Sequence, residues 1–90
     1  MEIKKKILVV DDETINRMIL KKILVDEYEV VEAHNGKEAL SLMEMIPVSA
    51  VLLDLVMPEM NGFEFLRIKN NNPKIASIPV IVITGSVDNE

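Results

Sequence analysis

Lys6-Ile7-Leu8-Val9-Val10-Asp11-Asp12 is the stretch that decides the fold: a short apolar run stopped by two aspartates. A strand with one wet face alternates apolar and polar residues. This run is apolar throughout, which suits a strand buried on both faces of a parallel sheet. Two later stretches repeat the pattern. Ala50-Val51-Leu52-Leu53 is stopped by Asp54, and Pro79-Val80-Ile81-Val82-Ile83 is followed by Thr84 and Gly85. Tyr28 to Ala33 reads as a further strand, second in chain order.

Between these runs the period changes from two to about three and a half. Ile15, Ile19 and Ile23, with Met18 and Leu24, recur at helical spacing, and Asp12 to Thr14 supply acidic and capping residues before them. Asn35-Gly36 is a turn signal. Ala39, Leu40 and Met43 then mark a second helix that ends before Pro47. Leu55 to Asn61 forms a loop containing Pro58, and Gly62 to Asn71 a third helix with Phe63, Leu66 and Ile68 as its apolar points. Met18 and Met43 are expected to fill the core. The order β-α-β-α-β-α-β predicts a doubly wound α/β domain around a parallel sheet.

Composition bounds the function. Ninety residues, 49% of them hydrophobic, fit one domain with a core of its own. The absence of cysteine excludes disulfides and Cys-ligated zinc. A formal charge of -5, from 15 acidic and 10 basic residues, argues against a nucleic-acid-binding face. No apolar run reaches the roughly 18 residues of a membrane helix, and no signal-peptide core follows the basic Met1 to Lys6. The expectation is a soluble, cytoplasmic chain.

Open α/β sheets bind ligands beyond the carboxyl ends of their strands. Asp11 and Asp12 stand at the end of the first strand, Asp54 at the end of the third and Thr84 at the end of the fourth. A lone Asp after a strand serves a turn or a helix cap as readily as a reaction. The joint pattern is harder to explain that way. Clustered carboxylates repel one another unless one is protonated or a cation joins them. Mg²⁺ takes oxygen ligands, accepts one or two carboxylates, and leaves positions open for water or phosphate. The constellation therefore points to an Mg²⁺ site for phosphate chemistry, with an aspartate as nucleophile and the Thr84 hydroxyl as a donor.

Ile7 to Glu13 (Ile-Leu-Val-Val-Asp-Asp-Glu) and Leu52 to Gly62 (Leu-Leu-Asp-Leu-Val-Met-Pro-Glu-Met-Asn-Gly) closely resemble the receiver domains of two-component signalling. Asn35-Gly36 followed by Glu38-Ala39-Leu40, and Pro79 to Gly85, fit the same pattern, so that the resemblance covers essentially residues 1–90. It implies a flavodoxin-like receiver fold with strand order 2-1-3-4. It also implies that Asp54 is the phosphoacceptor, Asp12 a direct Mg²⁺ ligand, Asp11 a ligand through water, and the Val56 carbonyl a further ligand. Thr84 resembles the switch hydroxyl, Gly85 leaves room for the phosphoryl group, and Pro58 and Gly62 shape the loop. Val56 and Ser86 occupy positions that tune how long the phosphoryl group persists. The implied partner is a histidine kinase or phosphotransfer protein, and the domain is a phosphoacceptor rather than an enzyme.

The resemblance also implies a fifth strand and helix, missing here, and a lysine beside the phosphoryl group that no Lys of this sequence matches. Lys4, Lys5 and Lys6 read as solvated charge. A truncated receiver is thus expected, with phosphorylation slowed by about 10²–10³ for the lost charge donor. Its fourth strand becomes an apolar edge prone to self-association. The competing readings are an interaction fragment without a phosphorylation cycle, and a phosphatase or mutase with an aspartyl nucleophile. The second would need an acid two residues after the nucleophile, where Val56 stands. His34 reads as a solvated loop residue rather than a phosphotransfer group, and Met57 and Met60 as packing residues beside the acceptor loop.

Overall fold

The computed structural model describes residues 3–57 and 59–83. Pro58, Thr84, Gly85 and Ser86, four positions singled out in the sequence, lie outside the described residues. The elements run β1 (Lys5–Val10), α1 (Thr14–Leu24), β2 (Tyr28–Ala33), α2 (Gly36–Met45), β3 (Ala50–Asp54), α3 (Gly62–Asn70) and β4 (Val80–Ile83). All strand pairs are parallel and the sheet order is β2-β1-β3-β4, as expected.

The two central strands, β1 and β3, are packed on both sides, and their residues divide by parity. Leu8 and Val10 of β1, with Val51 and Leu53 of β3, point into a cluster completed by Ala39 and Met43 of α2, Phe65 of α3, and Val48, Met57 and Ile75. Ile7 and Val9 alternate to the opposite face and are buried there, on the side taken by α1. Burial of the first strand on both faces is what its unbroken apolar sequence required.

α2 and α3 begin in the same way. Asn35 caps α2 by accepting the Glu38 N–H at 2.8 Å, and Asn61 caps α3 by accepting the Glu64 N–H at 2.9 Å. Each cap satisfies a backbone donor that the first turn leaves free, and the Glu places negative charge at the positive end of the helix. The pattern Asn-Gly-x-Glu occurs at both starts, so Asn35-Gly36 is a cap and first helical residue rather than a simple turn. α1 is different. Its N-cap is Glu13, whose side chain makes no capping bond. The expected cap at Asp12 is not formed; instead the Asp11 side chain accepts the Glu13 N–H at 2.9 Å.

Three packing expectations are corrected. Met18 was expected in the core and is 61% exposed, and Ile15, Ile19 and Ile23 are exposed with it; no residue of α1 is fully buried. Periodicity defines a helical face but not whether a neighbour covers it. On α3, Phe63 is 68% exposed while Phe65 is wholly buried, because the helix turns residues 62, 65 and 69 toward the sheet. The fourth strand, read as buried, is half-covered only: it ends the sheet, and Ile81 is 56% exposed.

Lys69 is the least expected of the core-facing residues. It is buried on α3, its ammonium donates to the Ala76 carbonyl at 2.7 Å, and burial lowers its pKa. A charged group is tolerated there because it ties down the backbone of the turn between α3 and β4.

Candidate functional site

The site is assembled by strand register. β1 and β3 are neighbours, with Val10 opposite Leu53, so the next residues, Asp11 and Asp54, emerge side by side at the carboxyl ends of the strands. Asp12 follows at the β1–α1 turn. One carboxylate oxygen from each of Asp11, Asp12 and Asp54 lies within 4.8 Å of the others. Asp11 is 2% exposed and Asp54 7% exposed, whereas Asp12 faces solvent. Three of the four predicted side-chain positions are thereby brought together; the fourth, Thr84, lies outside the described residues.

Each buried carboxylate is already oriented by the backbone. Asp11 accepts the Glu13 N–H, and Asp54 accepts the Val56 N–H at 3.1 Å. Val56 therefore meets the site through its amide, while its side chain stands in solvent. Burial holds the Asp54 carboxyl above the ordinary carboxylate range; the Val56 amide opposes the rise, and the charges of Asp11 and Asp12 add to it.

The loop after β3 is closed by the Gly62 N–H donating to the Leu55 carbonyl at 2.9 Å. A β-carbon at Gly62 would stand 2.6 Å from Leu55 Cα and 3.2 Å from the Asp54 carbonyl oxygen. The loop can fold back against the end of β3 only because position 62 has no side chain. Gly36 plays the same part against Met60, whose sulfur would lie 2.8 Å from a β-carbon there. Met57 is buried and Met60 half-buried, as packing residues would be.

One further group lies apart from the acidic cluster and another borders it. His34 is exposed, and its Nδ1 meets Glu38 Oε1 at 2.6 Å, the oxygen that also accepts the His34 N–H. It forms part of the α2 cap, consistent with a loop residue. Arg17 is the residue that sequence reading passed over. Its guanidinium donates to the Asp11 carbonyl oxygen at 2.6 Å and pairs with Glu32 at 3.1 Å. Its spacing carried no distinguishing signal, since Asn16, Lys21 and Lys22 are polar on the same helix.

The donor set suits a hard divalent cation. Three carboxylates supply oxygen ligands only, and a bound cation would relieve their mutual repulsion. Asp11, Asp12 and Asp54 are the residues that would hold it.

Comparison with known proteins agrees with this fold. The response regulator receiver domain family matches residues 7–90. A probable cyclic di-GMP phosphodiesterase of Vibrio cholerae is 40% identical over 84 residues, covering 93% of this chain and 19% of that protein. The probable transcriptional regulator ycf27 of Cyanophora paradoxa is 40% identical over 90 residues, covering 98% of this chain and 36% of the relative. The chain thus spans well under half of either relative's length. The crystallised chemotaxis response regulator CheY4 of Vibrio cholerae superposes with a TM-score of 0.86 at 30% identity, over 96% of this chain and 72% of that one.

Proposed function

Since the chain belongs to the response regulator receiver domain family of two-component signalling, we propose that it accepts a phosphoryl group on Asp54. The observation that carries this reading is the convergence of Asp11, Asp12 and Asp54 at the ends of adjacent strands. An Asp54 oxygen would attack phosphorus, forming an acyl phosphate as the bond to the donor nitrogen breaks and the donor keeps its electron pair. Receiver domains are in general phosphoacceptors rather than enzymes, and partner with histidine kinases or phosphotransfer proteins; such a protein, in the cytoplasm, is the proposed donor here. No helix among the described residues is long and apolar enough to cross a membrane.

Receivers typically bind Mg²⁺ at their acidic pocket. Here Asp12 would ligate it directly, Asp11 through water, and Asp54 and the Val56 carbonyl would complete the protein's share. The ion would supply charge neutralisation on the transferring group. The chain's own residues do the rest: Val56 N–H holds one Asp54 oxygen, which leaves the other for bonding, and Gly62 lets the loop close over the strand end. Thr84 is proposed to donate to a phosphoryl oxygen.

Intact mass after incubation with a small phosphodonor and Mg²⁺ tests the proposal. Wild type should gain one phosphoryl group and Asp54→Asn none; equal gain in both, or gain in neither, refutes Asp54 as acceptor. A second reading is favoured by β4, which is open on its outer side among the described residues: the chain self-associates through that strand. Its exposed Ile81 and Val82 carry no charge that would discourage pairing. An aspartyl phosphatase or mutase remains disfavoured by Val56, where a second acid is required.

A further inference from the structure

We propose that Arg17 is a positioning residue for the acidic site, tying the Asp11–Asp12 corner to β2 and α1 and thereby governing divalent-cation affinity. The inference rests on the metal reading above. Asp11 and Asp12 lie where the chain leaves the sheet, so the placement of their oxygens depends on the backbone of one tight corner. Three bonds hold that corner. The Asp11 N–H donates to the Ala33 carbonyl at 3.1 Å, the Glu13 N–H donates to Asp11 Oδ1, and Arg17 Nη1 donates to the Asp11 carbonyl oxygen at 2.6 Å.

The remaining Arg17 donors reach two other elements. Nε donates to Glu32 Oε1 at 3.1 Å on β2, and Nη2 to Thr14 Oγ1 at 3.3 Å in the first turn of α1. One planar group thus joins the end of β1, its neighbouring strand and the helix that follows. The Arg17 side chain is largely buried, and its bonds to the Asp11 carbonyl and to Glu32 are part-buried, which limits competition from water there. Its charge is already met by Glu32, which also receives Lys21 at 3.7 Å. Arg17 therefore acts on the aspartates by where it holds them, not as their counter-ion. A lysine would keep the charge but lacks the rigid fork that reaches three acceptors in different directions.

Groups that orient metal ligands typically change affinity by about 10–100-fold when removed. The test compares wild type, Arg17→Gln and Arg17→Lys by calorimetric Mg²⁺ titration, by phosphorylation rate against Mg²⁺ concentration with a small phosphodonor, and by thermal melting. Arg17→Gln should raise the Mg²⁺ dissociation constant about 10-fold or more, and shift the half-saturating Mg²⁺ by the same factor. The rate at saturating Mg²⁺ should stay near wild type. Arg17→Lys should fail to restore affinity. Wild-type affinity in either variant overturns the proposal, as does a lowered melting temperature without a change in affinity. If Arg17→Gln does not fold, Arg17→Lys alone decides between fork and charge. Wild type that binds no Mg²⁺ removes the metal reading itself, whereas wild-type binding with an unaltered variant removes only the role of Arg17.

Discussion

Asp54 is held in a conflict that its sequence position only partly reveals. Its pKa is raised by burial and by Asp11 and Asp12, so the ionised form is less comfortable folded than unfolded. A raised carboxyl takes its proton in the folded chain first. Stability from this group therefore falls as pH rises through the carboxylate range, and is lowest, relative to a neutral side chain, at neutral pH. Asp54→Asn is expected to stabilise the metal-free protein at pH 7, read as a raised melting temperature. The gain should shrink as pH is lowered; a gain that grows on acidification would contradict the assigned cause. Mg²⁺ should reverse the order, raising the wild-type melting temperature more than that of Asp54→Asn, since only wild type offers the full carboxylate set. At Gly62 the constraint is steric. Gly62→Ala must displace Leu55 backbone and should cost about 1–3 kcal/mol, measurable by urea unfolding, with phosphoryl acceptance reduced in the fraction that still folds.

At the scale of the element, α1 and α3 show what periodicity leaves open. Both were recognisable as helices from their spacing, and α3 begins at Gly62 as read. The spacing could not decide between Phe63 and Phe65, since either fits an apolar stripe; rotation of the helix by its Asn61 cap and the close approach of Gly62 settles it. Paired truncations give this a measurable form. Met43→Ala, on the buried face of α2, should cost about 2–5 kcal/mol. Met18→Ala, on the open face of α1, should stay within about 0.5 kcal/mol. Equal costs in chemical denaturation would mean that α1 is covered in solution. The shared Asn-Gly-x-Glu start of α2 and α3 was visible in the sequence, and capping chemistry explains it once the side-chain bonds are known.

For the whole molecule, the sheet order makes β4 an end strand, paired with β3 and open on its outer side among the described residues. The α1 face and β4 meet at a hollow lined by Ile19, Leu20 and Ile83 beside Asp11 and Asn16. An uncharged edge next to apolar surface favours pairing with another chain. The 90-residue chain is therefore expected to sediment as a dimer or larger species at micromolar concentration, and Ile81→Lys, which places charge on that edge, as a monomer. A wild-type monomer across the concentration range would end the self-association reading.

The sequence by itself determined the parallel α/β order and the aspartates at the strand ends. Both are written locally: a strand buried on two faces must be apolar throughout, and the residue that stops it sits at the sheet's carboxyl edge. Only the tertiary structure decided which of these ends touch, because the β1–β3 pairing joins residues more than forty positions apart and no local pattern encodes it. The same holds for Arg17, whose three acceptors lie on three elements. It holds too for the exposure of α1, since an amphipathic helix carries its apolar stripe whether or not a neighbour is there to bury it.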